Sequence, residues 1–311
     1  MTQRTDRREF LKTLAGTTAA ATSLGALEPA LSRESAPPIE PVRINEQLQL
    51  FSGAGGNIVA ARDGDALALV DGGSHARSGE LLKRVAKEMG SHRVRTLFNT
   101  HWHPDQTGSN EVLAKQGATI VGHENTKLWL GYANPVIGSG GTYGPLPPRA
   151  RPSQTFYYGT ATTTIGGEPV EYGYLPQAHT DGDIYVYFRK SNVLVTGGAV
   201  SGAGWPIIDY QTGGWIVGLV DALKALADLA NADTRVVPAD GALLARADLL
   251  AQHDMYATIS GRLQKMLRQG LGPDEVAAKT PTAEFDGKWG DSRQFVTLAF
   301  KSLWGHLAPD A

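Results

Sequence analysis

The feature that most restricts this chain is a buried-strand pattern that runs straight into a pair of histidines. Val94–Asn99 reads as a strand, and Thr100-His101-Trp102-His103-Pro104-Asp105-Gln106-Thr107-Gly108 follows it without a break. Side chains two residues apart in extended chain point the same way, so His101 and His103 can reach one ion. Asp105, two residues further, brings a carboxylate near the same point. The 311 residues contain no cysteine, which excludes disulfides and thiolate ligands. Any metal must therefore rest on His, Asp, Glu or amide oxygen.

A second histidine segment, Pro176-Gln177-Ala178-His179-Thr180-Asp181-Gly182-Asp183, precedes the alternating run Ile184-Tyr185-Val186-Tyr187-Phe188. A histidine in a turn at the start of a strand is well placed to be a third ligand. Three imidazoles with one position left for water are a common catalytic zinc arrangement. Lys+Arg number 29 against 31 Asp+Glu, so there is no electrostatic case for nucleic acid as a partner. A small-molecule substrate is the expectation instead.

The N-terminus carries Thr5-Asp6-Arg7-Arg8-Glu9-Phe10-Leu11-Lys12 and then an Ala/Thr-rich apolar stretch to about Leu31. A charged start and a short, weakly hydrophobic run are the marks of a signal peptide rather than a stable membrane span. The paired arginines resemble the bacterial twin-arginine signal, which implies the twin-arginine export machinery as a partner and a periplasmic or secreted location. Residues 1–35 are assigned to signal and linker, with the Pro-containing stretch Glu34–Pro41 as connecting chain, and residues 42–311 to one domain.

Within that domain, Leu48–Gly53, Asn57–Arg62 and Ala66–Asp71 read as hairpin strands, Ser78–Met89 as a helix stopped by Gly90, and a second helix, capped by Ser109 or Asn110, runs through Lys115 and is stopped by Gly117. Ala118–Gly122 reads as a strand. Gly131–Gln154 is Gly/Pro-rich and reads as a long loop. Gly159–Leu175 and Asp183–Thr196 read as antiparallel strands, Gly218–Ala230 as a helix and Arg235–Pro238 as a strand. Arg246–Gln269 and Arg293–Leu307 read as long helices. Strands with interposed helices in both halves fit an α/β fold of two sheets packed face to face with helices outside.

Taken in order, Leu69-Val70-Asp71-Gly72-Gly73, the strand-end H-x-H-x-D segment, the His179-Thr180 turn, Val195-Thr196-Gly197-Gly198 and Val236-Val237-Pro238-Ala239-Asp240-Gly241 resemble the metallo-β-lactamase fold superfamily. The resemblance spans about Leu48 to Asp254. It implies an αββα sandwich of two mixed β-sheets flanked by helices, with metal at the sheet edge. It also implies that His101, His103 and His179 form the family's three-histidine zinc site and that Asp105 belongs to the second site. There are three departures. Gln106 stands where the family has the second-site histidine, Asp240 where it has the last histidine, and Gly198 where many members have a bridging aspartate. One firmly bound Zn2+ is therefore expected, with a weak, differently occupied or empty second site on Asp105 and Asp240, since oxygen-rich ligation favours harder ions.

The expected activity is metal-dependent hydrolysis of an ester, amide or lactam, with Asp105 as catalytic base and Gln106 orienting water or substrate. The alternatives are a β-lactamase, or a non-catalytic metal-binding accessory protein of a periplasmic redox system. Asp71 is expected to hydrogen-bond a turn near the site, Trp102 to pack behind it or wall the pocket, and His123 to sit on the surface or cap a helix. Asp209 could reach the rim, though its placement there is not expected. His75, His92, His253 and His306 have no partner motif.

Overall fold

The computed structural model describes residues 37–307. The proposed signal, residues 1–35, lies outside them.

The first half of the domain supplies β1 (Glu40–Arg43), β2 (Leu48–Ser52), β3 (Ile58–Asp63), β4 (Ala66–Val70), β5 (Val94–Phe98) and β6 (Thr119–His123). A small hairpin, β7 (Asn134–Pro135) and β8 (Thr142–Tyr143), comes next, and then β9 (Gln154–Phe156). β1 to β6 and β9 form one sheet, antiparallel from β1 to β4 and parallel from β4 to β9. The second sheet has the order β10 (Thr160–Ile165), β11 (Glu168–Tyr174), β12 (Ile184–Phe188), β13 (Val193–Val195) and β14 (Arg235–Val237), with only the last pair parallel.

Alternation along these strands decides the layering. In β3, Val59 and Ala61 join an inter-sheet cluster while Ile58 and Ala60 face the helices, because successive side chains leave opposite faces of a sheet. In β5, Phe98 points between the sheets and Leu97 outward. In β12, Val186 and Phe188 meet Phe98 and Val70 in the inter-sheet cluster, while Tyr185 and Tyr187 pack on the helical side. Burying side chains of this size contributes roughly 1.5–3 kcal/mol each, so the pattern leaves one register in which both faces are satisfied.

The outer layers follow the same logic. α1 (Ser78–Met89) buries Leu81, Val85 and Met89 on one stripe and ends where Gly90 adopts φ 72°. α1 links β4 to β5. α2 (Pro104–Thr107) and α3 (Asn110–Lys115) link β5 to β6, and α4 (Glu124–Trp129) follows β6. On the other face, α5 (Ile216–Leu229), α6 (Arg246–Arg268) and α9 (Arg293–Leu307) cover the second sheet through Leu219, Leu223, Tyr256, Ile259 and Phe300. Short α7 (Pro273–Ala278) and α8 (Ala283–Trp289) connect α6 to α9. The expected αββα sandwich is the observed fold.

The differences lie at the margins. Glu40–Arg43, expected to be partly linker, is a strand. Pro41 is tolerated there because β1 is the sheet edge, where a missing N–H breaks no ladder. The expected loop Gly131–Gln154 holds the β7–β8 hairpin, and its end, Gln154, begins β9. These pieces of two or three residues are too short to show a period.

Candidate metal centre

Five strand ends meet at one edge of the sandwich. β4 ends into Asp71, β5 into His101, β13 into Gly197–Gly198 and β14 into Pro238–Asp240, while β12 starts just after His179. His101, His103 and His179 lie buried there, and their ligand nitrogens all fall within 4.8 Å of one another. The three rings stand nearly perpendicular, with centroids 4.6–4.9 Å apart. Nδ1 of His103 and Nε2 of His179 are 2.9 Å apart.

Each ring is held by its other nitrogen. His101 Nδ1 contacts the Thr100 hydroxyl at 3.1 Å, which leaves Nε2 for an ion. The Thr100 hydroxyl donates to Asp71 at 2.8 Å, and its backbone N–H does the same at 2.8 Å, so a chain of bonds runs from the ring to a buried carboxyl. Burial raises the Asp71 carboxyl to about 8 against the pull of those donors. His103 Nε2 donates to Asp209 at 2.9 Å, leaving Nδ1. His179 Nδ1 donates to the Ile207 carbonyl at 2.6 Å, leaving Nε2. Such partners set the tautomer and the aim of a metal-ligating imidazole.

Electrostatics favours bare nitrogens. Burial, then the neighbouring His179 and His103, holds His101 well below its ordinary range. Burial and His103 bring His179 down to about 3. Neutral imidazole is the form that binds a metal. Tetrahedral zinc with bonds of about 2.0–2.1 Å places ligand nitrogens about 3.3 Å apart. The 2.9 Å separation is within a small ring rotation of that edge, so the donor set fits such an ion.

His179 can sit here because position 198 is glycine. A Cβ on Gly198 would fall on the imidazole, 2.6 Å from Cγ and 2.7 Å from Nε2. The ring therefore occupies the space that the stem of any side chain at position 198 would need.

Asp105 and Gln106 lie on α2, and both line a cleft of about 260 Å3 together with the histidines and Asp240. Gln106 Nε2 donates to Asp105 Oδ2 at 3.1 Å. Asp240 Oδ1 accepts from the Ser201 hydroxyl at 3.1 Å and the Gly202 N–H at 3.2 Å. Among the described residues, only the three histidines form a close ligand group. Asp105 and Asp240 share the cleft but not the group.

α2 is pinned to the strand edge by its surroundings. A Cβ at Gly108 would collide with the backbone of Ser74 and His75, so only glycine allows this approach. Asn99 and Asn110 exchange amide bonds of 3.0 and 2.8 Å across the turn.

Trp102 is fully buried, bonds Thr212 through Nε1 at 3.0 Å and packs on the His103 ring at 4.5 Å, so it supports the ligands from behind. His123 is buried and caps α4, its Nδ1 accepting from the Asn125 N–H at 3.1 Å. The residue whose role the sequence left unassigned is Asp209. It is fully buried, and against the upward push of that burial the hydrogen bond from His103 holds its carboxyl low. It lies 106 residues from His103, and no local spacing signals the pairing.

A two-sheet sandwich with a triad of metal donors at its strand edge defines the class of protein. The chain belongs to the metallo-beta-lactamase superfamily, which residues 52–243 match. Among solved structures, a metallo-beta-lactamase from Pontibacter korlensis shares 20% identity and a TM-score of 0.57 over 71% of this chain and 99% of that one. A stereoselective inverting sec-alkylsulfatase from Pseudomonas sp. shares 13% identity and a TM-score of 0.69 over 88% of this chain and 51% of that one. At these identities the likeness is one of fold. A search of curated proteins finds no match.

Proposed function

We propose that this protein is a zinc-dependent hydrolase that directs water at an ester, amide or lactam carbonyl. The supporting observation is the triad itself: three buried imidazoles turn one nitrogen each toward a common point, and each opposite nitrogen is held by Thr100, Asp209 or the Ile207 carbonyl. Zinc held by His101, His103 and His179 would supply Lewis acidity at that point, for activating water and polarising the scissile carbonyl.

The chain's own residues do the rest. Asp105 accepts the proton of the attacking water and returns it to the leaving group. Gln106 cannot take a proton, and its amide holds Asp105 Oδ2 so that the other oxygen faces the cleft. Val136 and Ile137, at the start of the β7–β8 turn, give the cleft part of its apolar lining. The altered second-site positions support a single catalytic ion. The arginine pair near the N-terminus supports export by the twin-arginine route.

Metal analysis of the purified mature protein, combined with a panel of phenyl esters, anilides and β-lactams, tests this reading. We expect about one zinc per chain and turnover of at least one substrate class that a chelator abolishes and zinc restores. One bound metal with no turnover anywhere would favour the accessory-protein reading. Absence of transition metal would remove both.

A further inference from the structure

We infer that this cleft is built for a substrate carrying a positively charged, hydrogen-bond-donating group such as a primary ammonium, and not for an anionic one; the inference rests on the hydrolase reading above. Among the described residues, no lysine or arginine lines the cleft. Apart from the histidine triad, its charged side chains are Asp105 and Asp240. No cationic side chain in the lining is there to receive a carboxylate or sulfate on the substrate.

The cleft's polar groups are short of donors. Asp240 takes both of its hydrogen bonds on Oδ1, from Ser201 and Gly202, and among the described residues Oδ2 receives none. Gln106 is 2% exposed, and its amide orientation is settled, because a carboxylate such as Asp105 can only accept and the amide nitrogen must face it. That leaves Gln106 Oε1 as a buried acceptor without a partner, a costly condition that a donor on a ligand relieves. These two acceptors, with no lysine or arginine in the lining, call for N–H groups bearing charge.

The remaining wall sets the stem of the substrate. Val136, Ile137, Val200, Trp205 and Ile207 give it an apolar face, and Trp205 adds an aromatic ring of the kind a cation can rest against. The substrate class is thus an ester or amide with an apolar chain ending in an amine. Sulfate esters and carboxylate-bearing lactams carry the opposite charge.

The test uses metal-replete full-length protein and phenyl esters matched in acyl length, with chains ending in methyl, primary ammonium or carboxylate. We expect kcat/KM to fall in the order ammonium, methyl, carboxylate, with at least a tenfold step from the first to the second. Asp240→Asn should bring the ammonium-to-methyl ratio to within twofold of one while bound metal stays at wild-type stoichiometry. If the methyl or carboxylate ester is the better substrate, the inference fails and the hydrolase reading stands. If Asp240→Asn instead strips metal, Asp240 serves an ion and the assignment also fails. If no ester is hydrolysed, the hydrolase reading is the one in trouble. Calorimetric binding of hexylammonium against hexanol then decides the inference without turnover: a tenfold preference for the ammonium upholds it and equal affinities overturn it.

Discussion

On one side of the cleft, His101, His103 and His179 are buried, mutually perpendicular and each braced through its outward nitrogen. On the other side, Asp105, Gln106 and Asp240 bond to one another or to the 201–202 turn and do not join the ligand group. The two sides occupy the same cavity but have different physical standing. His101 and His179, kept neutral by burial, have little alternative to a metal, whereas carboxylates with protein donors already have part of what an ion would give them. Gly198 makes room for the His179 ring, which any side chain at that position would overlap.

The most damaging way to break this contrast is His103→Ala. Zinc should drop from about one per chain to a small residual fraction, with activity at background, because only two of the three or four ligands such a site uses would remain. Zinc retained near one per chain by that variant would show that the triad is not the site. Asp105→Asn should keep zinc near the wild-type level while turnover falls about 10²–10⁴-fold, the usual worth of a positioned base. A variant with full rates would take Asp105 out of the chemistry. Asp209→Asn sharpens the first side alone: competition with a fluorescent chelator should show zinc affinity about 10–100-fold weaker, as expected for the partner that orients a ligand. The smallest effect belongs to Gln106→His. Placing a histidine there should leave metal near one equivalent, since Asp105 and Asp240 still stand outside the ligand group. Two equivalents of zinc would show that Gln106 alone had closed the second position.

The layered fold was legible because burial on both faces of central strands leaves a period of two that any register must obey, as Val59/Ala60/Ala61 and Val186/Tyr187/Phe188 show. The triad was legible from spacing: His101 and His103 stand two residues apart just past a strand end, although the chain bends from Thr100 to His103, and His179 stands just before a strand start. Asp71 was readable as a support because Asp-Gly-Gly marks a turn, and it adopts φ 65° there. Asp209 was not readable in the same way. Its partnership with His103 is made by tertiary folding across 106 residues and leaves no local pattern. The β7–β8 hairpin escaped notice because two-residue strands carry no periodicity and are held by their neighbours. The Gly/Pro-rich composition around it marks only where the chain turns.

Asn57 lies buried between the halves of the domain. Its side-chain amide donates to the carbonyls of Pro238 and Gly241, both at 3.0 Å, and its backbone N–H reaches the Ala239 carbonyl at 2.8 Å. The bank of the cleft that carries Asp240 is thus riveted to the opposite sheet, so the sandwich's seam is closed along that margin. The β7–β8 turn, which lends Val136 and Ile137 to the same cleft, leaves Ser139, Gly140 and Gly141 exposed at its tip.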